Sequence, residues 1–262
     1  MFPLPQHTAP VASTAAAPVT FVGAGPGAAQ HLTLGAYHAL QRADVVIHDR
    51  LVGAEVLALI PAHIRRIDVG KEGFGAQTSQ ADINATIVAH AAAGAQVVRL
   101  KGGDTGIFGR LDEEISALEG AGIAYTILPG LTAASVAAAA IGQSLTQRGR
   151  NKALRIVTGH DMAGFADQDW RGLAGRGEVA AIYMGKKPAR FIQGRLLMHG
   201  AGADTPVTLV ENVSRADQRI IACTLSSFAA SAATLTGPAV ILLGLAPRHA
   251  AQIIPQLHEV TA

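Results

Sequence analysis

Short runs rich in Val and Ile recur along the chain, most of them ending at Gly, Asp or Pro. VTFVGA, DVVIHD, IRRIDVG, QVVRLKG and YTILPG occupy the first half, and LRIVTG, VAAIYMG, PVTLVE, RIIACTL and AVILLGL the second. Runs of this length and composition predict strands. Between many of them lie helix-length segments. In SQADINATIVAHAAAG, Ile83, Ile87 and Val88 fall on one helical face, Ser79 or Asp82 stands at the start and Gly94 at the stop. Strand and helix in alternation predict an α/β protein. Around residues 129–150 the alternation gives way to a small-residue helix and a basic stretch, which places a boundary between two α/β lobes. Residues 1–18 are therefore read as a flexible Ala/Pro-rich tail, 19–129 as an N-terminal α/β domain and 130–262 as a C-terminal one.

Ligands of α/β sheets bind beyond the carboxyl ends of strands, so the loops there are the places to seek chemistry. One such loop follows QVVRLKG: in RLKGGDTGIFGR, four glycines and an acid stand among three cations. Glycine costs conformational entropy on folding, so the cluster implies either a tight turn or a ligand lying against the main chain. A second loop follows VTFVGA. Gly23, Gly25 and Ala28 satisfy G-x-G-x-x-A after a strand, with Asp44 or Asp49 downstream, which raises a dinucleotide site. Against that reading, Pro26 and Gly27 and a polar segment separate the glycines from the apolar periodicity near Leu32, whereas a dinucleotide turn opens directly into its helix.

The formal net charge of +2 and the pI near 8.9 weakly favour anionic partners and argue against a dedicated nucleic-acid binder. The single cysteine, Cys223, excludes an internal disulfide framework; within IIACTL it is expected to be buried. The first 18 residues contain no Lys or Arg and no continuous apolar core, so they do not fit a signal peptide. The Ala-rich runs read as core helices, no segment reads as a membrane span, and a soluble cytoplasmic protein is expected. The histidines, His160 in TGHD included, lack metal-site spacing, and no metal is expected.

In order and spacing, VGAGPG, ADVVIHDRLV, DVGK, VVRLKGGD..IFGR, LPGLTAAS, LTQR, TGH and IYMG resemble the tetrapyrrole methylase family, nearest to its members that methylate uroporphyrinogen III. The resemblance runs from Val19 to about Leu245. It implies two α/β domains with the active site in the cleft between them, a homodimer, and a methyl donor, S-adenosyl-L-methionine, released as S-adenosyl-L-homocysteine. It implies that Pro26, Gly102, Gly103, Asp104, Ile107, Thr132, Ala133, Met184 and Val213 hold the donor, Asp104 by accepting a hydrogen bond. It also implies a proton-accepting Asp49 and a proton-donating Lys71, where the residues alone suggest a strand-end cap and a surface turn. Arg110, with Glu113 and Glu114 at helical spacing, is a further catalytic candidate.

The implied reaction is conversion of uroporphyrinogen III to precorrin-2 through precorrin-1 by two successive methylations. Its substrate is a polycarboxylate, which suits cations near the loops, Arg50, Arg65, Arg66, Lys101, Arg110 and Arg215 among them. Departures from the family pattern at Thr105, Gly106, Gln147 and Val213 bear on specificity. Three alternatives stay open at this stage: a later precorrin methyltransferase, a nicotinamide-dependent oxidoreductase and a non-catalytic tetrapyrrole carrier.

Overall fold

The computed structural model describes residues 16–70, 79–162 and 164–248. Lys71 and most of the expected N-terminal tail lie outside the described residues. Five strands, β1 (Val19–Gly23), β2 (Val45–His48), β3 (Arg65–Asp68), β4 (Val97–Lys101) and β5 (Tyr125–Leu128), form a parallel sheet in the order β3-β2-β4-β1-β5. Helices α1 (Leu34–Arg42) and α2 (Ala54–Ala58) cover one face, and α3 (Gln80–Ala92) and α4 (Leu111–Gly120) the other. Helix α3 starts where a capping box fixes it, with Ser79 and Asp82 satisfying each other's backbone amides. Its buried stripe is Ile83, Ile87 and Ala91, and the chain turns away at Gly94 with φ +83°.

The chain leaves β1 toward β2 and leaves β4 toward β5, in opposite directions along the sheet. The crevice between the carboxyl ends of β1 and β4 is thus the switch point where α/β sheets take ligands. There the two glycine loops of the sequence meet, Gly25 N–H donating to Gly103 O at 3.1 Å and Gly103 N–H to Gly25 O at 2.8 Å. Closeness explains much of the glycine. A Cβ on Gly23 would lie 2.8 Å from Gly103 O and collide with the Gly130 main chain, so three strand ends converge where side chains have no room.

Helix α5 (Ala133–Ala140) follows and buries Ala134, Val136, Ala137 and Ala138 on the second sheet. That sheet contains β6 (Arg155–Thr158), β9 (Ala180–Tyr183), β10 (Pro206–Glu211), β11 (Arg219–Thr224) and β12 (Ala239–Leu243), in the order β11-β10-β12-β9-β6. Only β6 and β9 run parallel among its pairs; the others are antiparallel. A small hairpin, β7 (His160–Asp161) and β8 (Gly164–Phe165), stands apart and was not read from the sequence. Trp170, Leu173, Ile192, Leu196 and Phe228, from α6 (Trp170–Leu173), α7 (Ala189–Met198) and α8 (Phe228–Ala233), fill the face opposite α5. Cys223 is half-buried, not buried as expected, because β11 is an edge strand with a largely exposed face. Among the described residues no helix is long and apolar enough to cross a membrane.

Glu211 ends β10 and anchors the turn before β12. Its Oε1 accepts from the Thr236 and Gly237 amides, and its Oε2 from Arg219 Nη1 at 3.0 Å. Burial acts to raise its pKa, but the two amides and the guanidinium outweigh it and hold the carboxyl below the usual glutamate range. A depressed folded-state pKa means that the stabilisation is complete above the unfolded value near ~4.3 and is lost as pH falls through the lower folded value. Glu211→Gln is expected to melt several degrees lower than the parent at neutral pH, with the gap closing below about pH 4. Thermal melts across that range check it, and a gap independent of pH would contradict it.

Candidate active site

A cavity of about 340 Å³ opens between the two sheets, lined from both. The first sheet contributes the loop after β4, including Gly102, Gly103, Asp104 and Ile107, together with Pro26 and Asp49; the second contributes Met184 after β9 and Val213 after β10. Thr132 and Ala133, at the start of α5, complete the wall. Every described residue that the sequence resemblance assigned to the site lines this one cavity. Arg110 reaches its rim, whereas Lys71 lies outside the described residues.

The loop after β4 is shaped for close approach. Gly103 has φ +73° and nothing within 4 Å of the place a Cβ would occupy, so its bare main chain faces open space. Asp104 does more than face the cavity: Oδ1 accepts the Gly106 amide at 2.9 Å and Oδ2 the Gly130 amide at 3.0 Å, tying the β4 loop to the β5 loop. At the start of α5, the Tyr183 hydroxyl contacts Thr132 Oγ1 and accepts the Ala134 amide at 2.9 Å. Burial, more than any other cause, raises the Tyr183 pKa, so the phenol is neutral at physiological pH. Among the described residues the Thr132 and Ala133 amides have no acceptor within the protein, as expected of a helix N-terminus left for a ligand.

Beneath the loop lies a network of charges that the sequence reading did not assemble. In β4, Arg99 and Lys101 are two residues apart and so share the face covered by α3 and α4, and both are buried, at 1% and 3% exposure. All five guanidinium N–H groups of Arg99 find acceptors. Nε and Nη2 donate to Glu114 Oε1 at 3.2 and 2.9 Å, Nη2 also to Asp49 Oδ1 at 2.6 Å, and Nη1 to the Ile47 and Leu100 carbonyls at 3.5 and 3.3 Å. Lys101 Nζ donates to the same Glu114 oxygen at 2.8 Å. Burial, then the Arg99 cation, push the Lys101 pKa below the ordinary lysine value, while Glu114 and Asp49 pull it back. Asp49 is thereby held by an ion pair rather than serving as a strand-end cap, and its carboxylate lines the cavity.

Arg110 meets one of the two acids its spacing offered. It precedes α4 with φ +53°, just outside the helix, and the spacing holds for Glu113, three residues on, but not for Glu114. It forms a bidentate pair with Glu113 at 2.6 and 2.7 Å, half exposed on both sides, while Glu114 points inward to Arg99 and Lys101. Phe108 of the same loop faces Tyr183 of the second sheet, ring centroids 5.4 Å apart. The lobes are also clasped by Ser214 Oγ, which accepts the Ala28 amide at 3.0 Å, and by Arg215 Nη2, which donates to Leu51 O at 2.7 Å. Tyr183, Phe108, Arg99 and Glu114 were not selected from the sequence. A usable signal existed only for Arg99: two cations at strand period within an otherwise apolar run.

The G-x-G-x-x-A loop does not have dinucleotide geometry. Its Gly25 amide is spent on Gly103, and α1 begins only at Leu34, capped by Thr33 Oγ1 accepting the Ala36 amide at 3.1 Å. No group of three or more potential metal ligands occurs among the described residues.

A cleft between a parallel α/β sheet and a mixed one, with glycine loops at the switch point and a helix N-terminus opposite, defines a two-lobed α/β protein with a ligand cavity between its sheets. The family model for Tetrapyrrole (Corrin/Porphyrin) Methylases matches residues 18–229, and the chain belongs to that family. Among curated relatives it is 46% identical over 225 residues to the uroporphyrinogen-III C-methyltransferase of Paracoccus denitrificans, covering 86% of this chain and 78% of that one. It is also 46% identical over 226 residues to the siroheme synthase of Edwardsiella ictaluri, covering 86% of this chain and 49% of that one. The chain thus spans about half the length of the siroheme synthases it matches. The fold superposes on the Thermus thermophilus uroporphyrin-III C-methyltransferase complexed with S-adenosyl homocysteine, with a TM-score of 0.74, 36% identity and coverage of 87% and 97%.

The Asp104 ties carry a testable consequence, since each replaces a hydrogen bond that the backbone would otherwise lack. Asp104→Ala is expected to melt several degrees below the parent and Asp104→Asn by less, because the amide oxygen keeps one acceptor. Differential scanning calorimetry reads both; unaltered melting in the alanine variant would show the ties to be idle.

Proposed function

We propose that this chain is an S-adenosyl-L-methionine-dependent C-methyltransferase that converts uroporphyrinogen III to precorrin-2 through precorrin-1. The observation that carries the reading is the convergence of Asp49, the Gly102-Gly103-Asp104 loop and the Thr132-Ala133 amides on one cavity. The relatives' names and the S-adenosyl homocysteine in the Thermus thermophilus complex support the same substrate pair.

The cavity fits the donor's chemistry. The open face of Gly103 admits a ligand to the main chain, Asp104 retains acceptor capacity toward hydroxyl or ammonium groups, and the α5 amides suit a carboxylate or other polar acceptor. Pro26, Ile107, Met184 and Val213 supply the apolar part of the wall. When bound, S-adenosylmethionine supplies an electrophilic methyl group on sulfur. The pyrrolic carbon contributes the electron pair of the new carbon–carbon bond, and the cationic ring system that results must lose a proton. Asp49 is placed to take it, as a carboxylate in the cavity oriented by Arg99. Lys71 is the proposed proton donor, and Arg110, at the rim, a site for a substrate carboxylate. Alignment of donor and macrocycle in the cleft supplies much of the rate.

The relatives named siroheme synthase support a product that enters siroheme synthesis. Action as a homodimer in the cytoplasm completes the reading and is supported by the family resemblance.

Two measurements test it. S-adenosylhomocysteine is expected to raise the melting temperature in a concentration-dependent way and NADH to leave it unchanged. Incubation with labelled donor and enzymatically generated uroporphyrinogen III is expected to yield a pigment carrying two added methyl groups; a product methylated only when a precorrin is supplied would assign a later step. Asp49→Asn is expected to cut turnover by roughly 10²-fold or more while donor affinity changes little, as for loss of a general base. A normal rate would remove Asp49 from the chemistry.

A further inference from the structure

Glu114 has no part in the chemistry proposed above, yet among the acids that line the cavity it gathers the most donors. It is 1% exposed, and its Oε1 accepts from Arg99 Nε and Nη2, from Lys101 Nζ at 2.8 Å and from Gln80 Nε2 at 3.3 Å. Its Oε2 has no hydrogen-bond partner among the described residues. A buried carboxylate that gathers its donors on one oxygen and leaves the other bare is not arranged for its own satisfaction. The arrangement instead fixes the orientation of the donors, above all the guanidinium.

Two nitrogens of Arg99 contact Glu114, and one of them, Nη2, also contacts Asp49 at 2.6 Å. With Nη1 on the Ile47 and Leu100 carbonyls, the guanidinium plane is fixed on three sides and can meet Asp49 in only one direction. The charges also balance: Arg99 and Lys101 against Asp49 and Glu114. Without Glu114, two buried cations would compete for Asp49 alone.

We infer that Glu114 is a positioning residue for methyl transfer: through Arg99 it fixes the carboxylate of Asp49 in the orientation that takes the substrate's proton. The inference rests on the proposed function, because it assigns Asp49 the proton. It makes Glu114, through its hold on Arg99, necessary for the rate and not for donor binding.

The test is a double-variant cycle on the full chain. Glu114→Gln keeps the side-chain shape and removes the charge. Its rate with uroporphyrinogen III is expected to fall about 10- to 100-fold with donor KM and S-adenosylhomocysteine affinity near those of the parent, the scale of a catalytic group misplaced by about an ångström. In an Asp49→Asn background the same change is expected to cost almost nothing further, because Glu114 acts only through Asp49. A residue that merely supports the fold would multiply the loss in both backgrounds and weaken S-adenosylhomocysteine binding alongside the rate, and either result would overturn the assignment. If Glu114→Gln does not fold, Glu114→Gln/Lys101→Met restores the charge balance and takes its place in the cycle.

A crystal structure of the variant separates this inference from the function on which it rests. Arg99 and Asp49 are expected to leave the contact they make in the parent; if that contact persists unchanged, Glu114 does not position Asp49, whatever the enzyme methylates. A parent protein that methylates no tetrapyrrole, in turn, sinks the functional reading while the crystallographic outcome still decides what Glu114 holds.

Discussion

The site is organised around one buried cation in the middle of a parallel sheet. Arg99 stands on β4, at 1% exposure, where strands of this kind ordinarily carry only apolar side chains. An isolated guanidinium there is prohibitively costly, so the surrounding structure must supply acceptors in the directions its planar fork demands. Those acceptors come from three elements: the ends of β2 and β4 through their carbonyls, Asp49 just beyond β2, and Glu114 on α4. Satisfying the cation therefore fixes how α4 sits against the sheet and where the carboxyl end of β2 points. The loop between β4 and α4 is spanned by the same constraint.

Strain accumulates around the same cavity. The non-glycine residues with positive φ among those described are Phe108, Arg110, Met184, Asn212 and Ser214. Three line the cavity and the other two flank Val213, which does. Such conformations cost free energy in bulky or branched side chains and persist where neighbours over-determine them, which is the pattern of a site built for binding. Here the neighbours are the Arg110–Glu113 pair, the Phe108–Tyr183 contact, the Asn212 bond to Asp217 at 2.6 Å and the Ser214 and Arg215 clasps across the lobes.

The two lobes play unequal parts. The parallel sheet brings the glycine loops, the acid that accepts a proton in the proposed reaction and the buried charges; the mixed sheet brings walls and a helix start. Tyr183 links them most economically, since its hydroxyl secures the first turn of α5 while its ring meets Phe108 from the other lobe. A cavity shared in this way changes shape with the angle between the lobes, so the contacts across it also set its width.

Most of the architecture was legible in the chain alone. Runs rich in β-branched residues, most of them ending at Gly, Asp or Pro, marked every strand of the two large sheets, because β-branched residues and turn formers act locally. The start of α3 was readable from Ser79 and Asp82 for the same reason. The motifs also nominated Pro26, Asp49, the Gly102–Asp104 loop, Thr132, Ala133, Met184 and Val213 of the cavity wall, each on the strength of its own loop, but not Arg99, Phe108, Glu114 or Tyr183. Among what escaped are that Gly25 and Gly103 bond each other, that Glu114 turns inward to Arg99 instead of meeting Arg110, and that Cys223 falls on an edge strand. Each depends on which segments become neighbours. The sequence by itself determined the elements and the loops where a ligand would lie, since those follow from interactions a few residues apart. Only the tertiary structure decided the charge network, because the burial of Arg99 and the choice of its acceptors depend on residues up to 52 positions away being brought within hydrogen-bonding distance.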